Sequence, residues 1–528
     1  VYAADTDVAD SGQDDTASSV QEYFPEMMTV SSDTPEEISD EFETEEPEDG
    51  GNLKGSVGGY KQYTADDGVQ YLYYDRDDGT VYIAAYATNV EELIVPQTID
   101  GKQVYGIENT VVSIEENNNY LKKVVLPEGL KEIGMAFHNC VNLETVVVPD
   151  SVEKIGSSAF YRNHSLKEIN WPKNLKVIGD SAFRNTPISS AILPEGLLEI
   201  GDDAFRVGNE ASIEPMSEYA RLKELVIPST VEKIGNRAFF GQARITSAIQ
   251  LPAGLKELGK YAFEGASVSG DIVIPKGITQ IPNGAFEFTR INSVVIPEGV
   301  KVICDSAFYD CLYLTTVSLP ESLTTICNSA FALDEKLDIT IPKNVTLFNN
   351  RLLEKELELA DVFFGVKSVT FSPENPMYCS DNQYIYSKDK KTLYTAYRWD
   401  RESYTIPDSV QTIGYMAFKN TKKVKSVTIP NSVTYIDDFA FSFSEIPEIV
   451  IPDSVTYLGQ GAFGSCESLK DITISKNVTE LPDSVFGGDF ALEKIVIPDN
   501  ITKIGSNAFS NCWNLKDVTL SKNLTVIE

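Results

Sequence analysis

Histidine is nearly missing from this sequence. His138 and His164 are the only two in 528 residues, which leaves little room for imidazole catalysis or His-rich metal sites. Seven cysteines in a chain of this length make no disulfide framework. Cations are scarce: 44 Lys and Arg stand against 79 Asp and Glu, a formal net charge of −35. Residues 1–53 hold 17 of the acids and no Lys or Arg, leaving −18 for the remainder. Nucleic acid is not expected as a partner, because binding it requires clustered cations that displace counterions, and an anionic membrane surface is disfavoured by the same electrostatics. No apolar run reaches the roughly 20 residues that span a bilayer, so no membrane insertion is expected from this segment. G-x-S-x-G, Walker A, H-E-x-x-H and C-x-x-C patterns are all missing. The many acids fall mainly at turn positions. No catalytic residue, cofactor site or metal site is therefore expected.

What the chain has instead is a repeat. An Ala-Phe step, once Val-Phe, places phenylalanine at 137, 160, 183, 205, 239, 263, 286, 308, 331, 418, 441, 463, 486 and 509. Most intervals are 22–24 residues, with one of 34 and one of 87. A fixed period in this range marks a solenoid, whose coils add linearly and touch only their neighbours. In the coil that begins at Leu143, the residues Leu143, Val146 and Val148 alternate inward along a short strand. Pro149 has no N–H for a ladder and ends that strand, and Asp150-Ser151 form a turn. Val152 and Ile155 point back inside, Gly156 permits a tight bend, and Ala159-Phe160 sends a ring to the centre. The fold expected is a right-handed superhelix of about 23-residue coils, made of short parallel strands and turns with little helix.

Residues 1–59 are acidic, poor in branched apolar side chains and expected to be a disordered linker. Val1-Tyr2-Ala3-Ala4-Asp5 resembles the small-residue end of a secretory signal peptide, which points to export. Over 60–114 a hairpin cap is expected: Tyr71-Leu72-Tyr73-Tyr74 and Val81 to Tyr86 flank a turn in which Gly79 takes positive φ. Repeats occupy 115–343 and 407–528. The interval of 34 predicts a surface loop from Arg206 to about Tyr219. Within 344–406 the run Arg351 to Phe364 reads as the one clear helix, and 377–404 as a protruding hairpin rich in aromatic and basic residues. The repeats stop in mid-coil at Val526-Ile527-Glu528, which predicts that the sequence is a piece of a longer chain.

Four cysteines, Cys140, Cys311, Cys466 and Cys512, fall three residues after a repeat Phe and read as small half-buried fillers. Cys304 and Cys327 replace the repeat Gly in adjacent coils. Stacking puts their Cα atoms about 4.8 Å apart, inside the disulfide range. In-register side chains of parallel strands point alongside one another, however, which disfavours the bond.

The pattern Leu-x-x-Val-x-Ile-Pro-x-x-Val-x-x-Ile-Gly-x-x-Ala-Phe-x-x-Cys, read from Leu143 and Leu314, resembles the BspA-like, treponemal-type leucine-rich repeats. The resemblance covers about 60–528. It implies an exported bacterial cell-surface protein whose partner is a host or neighbouring-cell surface protein or glycan, and it carries no catalytic residues. Pro282 and Pro482 in place of the Gly, and Ser475 and Ser521 in place of the strand-end Pro, depart from the pattern and put local corner geometry in question.

Three functional readings follow: an adhesive binding scaffold, a passive stalk displaying a module beyond residue 528, and an enzyme whose catalytic domain lies outside this segment. Two surfaces are candidates for ligand contact. One is the outward strand position two before each Pro, an almost uncharged row of Val125, Val147, Asn170, Ile192, Val226, Gln250, Val273, Val295, Ser318, Thr340, Thr428, Val450, Thr473 and Val496. The other is the insert, with Tyr378, Tyr384, Tyr386, Tyr394, Tyr397 and Trp399 beside Lys388, Lys390, Lys391, Arg398 and Arg401. Aromatics next to cations on a protrusion suit a protein hot spot or sugar stacking, so the insert is expected to contribute more than the strand row.

Overall fold

The computed structural model describes residues 59–87, 90–108, 120–208, 222–348, 359–398 and 401–528. Nearly all of the acidic linker, most of the loop expected over 206–219, residues 351–358 of the expected helix and Trp399 lie outside the described residues. The described chain is a parallel β-solenoid of about 18 turns spaced about 23 residues apart, with nearly no helix.

One coil shows how the sequence dictates this. Leu143, Val146 and Val148 are at most 3% exposed, and the strand Thr145–Val147 presents its two ends to solvent. After Pro149 the chain turns, the Pro149 carbonyl accepting the Val152 N–H at 3.2 Å. Lys154–Ile155 then pairs in parallel with Glu132–Ile133 before it and Val177–Ile178 after it. On the third side Ser158, Phe160 and Arg162 donate N–H bonds to the carbonyls of Asp180, Ala182 and Arg184 at 2.8–2.9 Å. Every backbone direction therefore closes onto the next coil, as burial demands.

The repeat phenylalanines stack into a column. Phe137, Phe160, Phe183 and Phe205 have centroids 5.3–5.6 Å apart, with planes within 16° of parallel. In most coils the residues two before and two after the repeat Phe adopt left-handed backbone, such as Ser158 (φ 54°) and Arg162 (φ 57°). Even Tyr261, Phe288 and Phe439 do so, against a cost of roughly 1–2 kcal/mol each. Their N–H groups bond to the next coil at 2.8–2.9 Å and fix the conformation.

The repeat Gly answers a different need from the bend assigned to it. Gly179 and Gly156 have no positive φ. A Cβ at Gly179 would lie 2.6 Å from Ser157 N and 2.7 Å from the Gly156 carbonyl carbon. The residue is small because two coils touch there. Gly179→Ala should therefore cost roughly 1–3 kcal/mol, as overpacking does. An unchanged urea midpoint would contradict this.

The same register explains the two proline departures. The Gly259 N–H donates to Ile234 O at 2.8 Å, a bond that proline cannot make. The ladder of second strands stops at Glu257–Leu258 and restarts at Gln280–Ile281, beside Pro282. It stops again at Tyr457–Leu458 and restarts at Glu480–Leu481, beside Pro482. The serine departures are compensated by side chain: Ser475 Oγ donates to Val455 O and accepts the Asn477 N–H.

At the amino-terminal end Lys61–Thr64, Gln70–Asp75 and Val81–Ala87 run antiparallel, with Gly79 at φ 82° in the turn. Val81–Ala87 then pairs in parallel with Lys102–Ile107, which continues into the solenoid ladder. Tyr71, Tyr73 and Tyr86 are at most 1% exposed and cover the first coil's core.

The long interval bears on two expectations and corrects the second. Of the helix expected over 351–364, the described part is only Leu359–Val362. Val362-Phe363 then takes the Ala-Phe place, Phe363 stacking on Phe331 at 6.5 Å and 2°. The hairpin does not protrude. Tyr378–Ser380, Tyr384–Ser387 and Thr392–Ala396 form an antiparallel sheet whose last strand pairs in parallel with Thr412–Ile413, joining the solenoid ladder.

Candidate functional site

Strand alternation places the tyrosines of the insert inside. Tyr378, Tyr384, Tyr386 and Tyr397 are at most 2% exposed. Tyr384 and Tyr386 join the core that runs on to Ala508, while Ile385 between them joins the core that begins at Val69. The hairpin is thus the layer where two apolar cores meet. Tyr378 packs edge-on against Phe348 at 5.2 Å and Tyr394 at 5.7 Å. Tyr384 meets Phe418 edge-on at 6.1 Å. The hydroxyls are held too: Tyr386 donates to Asp381 Oδ2 and Tyr397 to Asp381 O, each at 2.8 Å. Desolvation pushes the Tyr378 hydroxyl up to about 12.

The cations of the insert stay outside. Lys388, Lys390 and Lys391 are exposed at the turn between the second and third strands. Lys388 Nζ donates to Pro373 O at 2.7 Å, and Lys390 sits 5.9 Å over the Tyr386 ring. Arg398 Nη1 donates to Lys367 O at 2.8 Å. The expected pairing of exposed aromatics with cations is therefore split: the described tyrosines pack the hairpin, and the lysines face solvent.

The other surface is built by the first strand of each coil. Its outward row is open to solvent: Val147 is 42% exposed, Ile192 52%, Val273 60%, Val450 61% and Val496 63%. Registered pairing sets these side chains side by side, as in Val273 with Val295. Beside the row, at the other outward position of each strand, stand Glu224, Asp271, Asp338, Glu448 and Asp471, all exposed. The result is a largely uncharged stripe, interrupted at Asn170, Gln250 and Ser318, whose border mixes these acids with Lys123, Lys494, serines and threonines.

The sequence reading missed a donor row on the third side. In most coils the residue three after the repeat Phe donates to a phenylalanine carbonyl, either that of the preceding coil or its own. Asn163 Nδ2 donates to Phe137 O at 2.7 Å, Thr186 Oγ1 to Phe160 O at 2.5 Å, and Cys466 Sγ to Phe441 O at 3.1 Å. Cysteine there is a weak donor as well as a filler. Burial pushes the Cys140, Cys311 and Cys466 thiols up, which suppresses the reactive thiolate. Cys304 and Cys327 are both free thiols, and burial pushes Cys327 up to about 12.

One residue after the repeat Phe stand the carboxylates of Glu264 and Glu287 in successive coils, and two residues after it, in the next coil, stands that of Asp310. Desolvation raises all three, Asp310 to about 7. Among the described residues no group of three His, Cys, Asp or Glu side chains is arranged to hold a metal ion. Among the same residues no helix is long and apolar enough to cross a membrane.

The family profile described as BspA type leucine rich repeat region matches residues 103–210, 216–338, 269–383, 394–516 and 481–528. No curated protein gives a significant match. Among solved structures, a leucine-rich repeat protein from Bacteroides ovatus is 20% identical over 89% of this chain and 95% of its own, with a TM-score of 0.43. A leucine rich cell surface protein from Faecalibacterium prausnitzii is 23% identical over 90% and 96%, with a TM-score of 0.28. The pneumococcal vaccine antigen PcpA is 16% identical over 88% and 99%, with a TM-score of 0.33.

Proposed function

This chain belongs to the BspA-type leucine-rich repeat family, and from that premise we propose that it is an exported, cell-surface binding scaffold without catalysis of its own. Its ligand is a protein or glycan on a host or neighbouring cell. The observation that carries this reading is the exposed strand row: most coils set a Val, Ile or Thr in the open on one face of a strongly acidic chain, with Val273 and Val295 side by side. Contiguous exposed apolar area on a soluble protein marks an interaction surface. The insert supports the scaffold differently from what its composition suggests, by joining the two cores through its tyrosines.

The test is a cell-binding assay with Val273→Gln combined with Val295→Gln. Both side chains are at least 45% exposed, so the melting curve should stay in place. Removing two apolar contacts from an interface core should weaken binding about 10-fold or more. Unchanged binding would remove this face from consideration.

A further inference from the structure

We infer that a notch formed by Lys167, Ser189, Lys223 and Arg244 is a second binding site, specific for the carboxylate of an acidic sugar. It lies at the start of the first strands as a half-open depression of about 240 Å³, with Glu168 completing its wall. Lys167, Ser189 and Lys223 hold the same register in three successive coils: Ser189 N bonds to Lys167 O at 2.8 Å and Lys223 N to Ser189 O at 2.9 Å. Coils at strand spacing, about 4.8 Å, place the small serine between two lysines, and its lack of bulk opens the notch. Arg244 comes from the coil after Lys223, whose carbonyl accepts the Thr246 N–H at 3.0 Å.

Charge pairing sets the notch apart from the lysines of its own coils, although Lys260, Lys276 and Lys301 further along likewise form no ion pair among the described residues. From Lys122 to Lys256 there are ten lysines. Eight are in ion pairs: Lys122, Lys123, Lys131, Lys154, Lys173, Lys176, Lys233 and Lys256. Lys167 and Lys223 form none among the described residues, and neither does Arg244. In a chain of net charge −35, three cations with no ion pair among the described residues around one notch are complementary to an incoming anionic group.

The rest of the lining narrows the class. A polyanion would run from the notch onto acidic surface within one Debye length, about 8–10 Å, so the ligand carries one or two charges. The cavity is below the roughly 300–1,000 Å³ of drug-sized pockets and suits a single ring. Glu168 accepts hydrogen bonds and Ser189 can do so, which suits ring hydroxyls as donors. Glu224, which accepts from Ser190 Oγ at 3.2 Å, adds a further acceptor beside Lys223. Carboxylate plus hydroxyls on one ring describes a uronic acid or a related acidic sugar.

This site is separate from the exposed strand row, and its test is independent of it. Saturation-transfer NMR and titration on the full chain would use methyl glucuronide, methyl glucoside and N-acetylglutamate as probes. The expected result is that the glucuronide binds and that both others bind at least about 10-fold more weakly. Lys167→Ala with Lys223→Ala should weaken the glucuronide about 10-fold or more, the loss expected for charge-assisted bonds. Arg244→Met is a second, single variant with the same expected direction. Lys256→Ala, which removes a paired lysine, and the Val273→Gln/Val295→Gln variant should bind like the parent. Equal affinity for N-acetylglutamate would overturn the sugar assignment, and no glucuronide binding, or binding unchanged in the variants, would overturn the site.

Discussion

Phe308→Ala is expected to cost roughly 3–5 kcal/mol, the range for deleting a buried aromatic ring. Phe308 is fully buried, and its ring stacks on Phe286 and on Phe331 at 5.5 Å each, within 5° of parallel. Coils on both sides are held by their own ladders, so the cavity has little freedom to collapse. Because each coil rests on its neighbours, the loss should also weaken the coupling between the two halves of the array. Phe509 provides the comparison. It is half-buried and stacks within the column on one side only, on Phe486 at 5.6 Å. Phe509→Ala should shift the urea midpoint clearly less than Phe308→Ala. Equal shifts would mean that the stacked column is not what makes the array cooperative.

The second large effect is a loss of stability as pH rises. The carboxylates of Glu264, Glu287 and Asp310 succeed one another along the stack. Glu264 is raised by desolvation against the pull of Arg237 and Arg206. Desolvation raises Glu287 as well, helped by Glu264 and Asp310, and raises Asp310 to about 7 with help from Glu335. Asp489, buried beside Cys466, is pushed up to about 9, its Oδ1 accepting the Cys466 N–H at 2.8 Å. In each case the folded state holds a proton that the unfolded chain gives up near pH 4. The stabilising contribution is complete below that point and is lost as pH climbs through about 7 to 9.

The exposed, ion-paired acids act with the opposite sign. Glu153, between Lys131 at 2.8 Å and Lys176 at 2.5 Å, is lowered to about 2 by those hydrogen bonds. Its contribution is present above the ordinary carboxylate range and is lost only in strong acid. Stability should therefore peak at mildly acidic pH, near about 5, and fall toward pH 8.5 by a few kcal/mol, one pKa unit being about 1.4 kcal/mol. Glu287→Gln should flatten that fall, gaining on the parent at pH 8.5 and not at pH 5. Thermal melts at fixed ionic strength decide the matter: a midpoint that stays level or rises from pH 5 to 8.5 would refute the carboxylate column.

The sequence by itself determined the solenoid. Period, strand-ending prolines and alternating apolar positions are local signals repeated fourteen times, and each repetition tests the same register, so Phe137 through Phe509, the inward strand residues and the Gly79 turn were all legible. The exposed strand row was legible as well, because alternation fixes which strand positions point outward. Direction was not legible where both sides of an element are covered. Alternation over Tyr384-Ile385-Tyr386 shows that the two tyrosines share a face, but only the docking of the hairpin onto the ladder decided that this face meets a second core and not solvent.

Relations between coils were equally out of reach. Lys167 and Lys223 are separated by a coil and by the 34-residue interval, so their convergence around Ser189 depends on how that interval restores the register. The carboxylate column depends on desolvation, which no residue carries alone. The proline breaks lay between these cases: Pro282 and Pro482 were visible as departures, while the bond they delete exists only once the preceding coil has stacked beneath them. The chain thus encodes its coil locally, and stacking decides what each side chain meets.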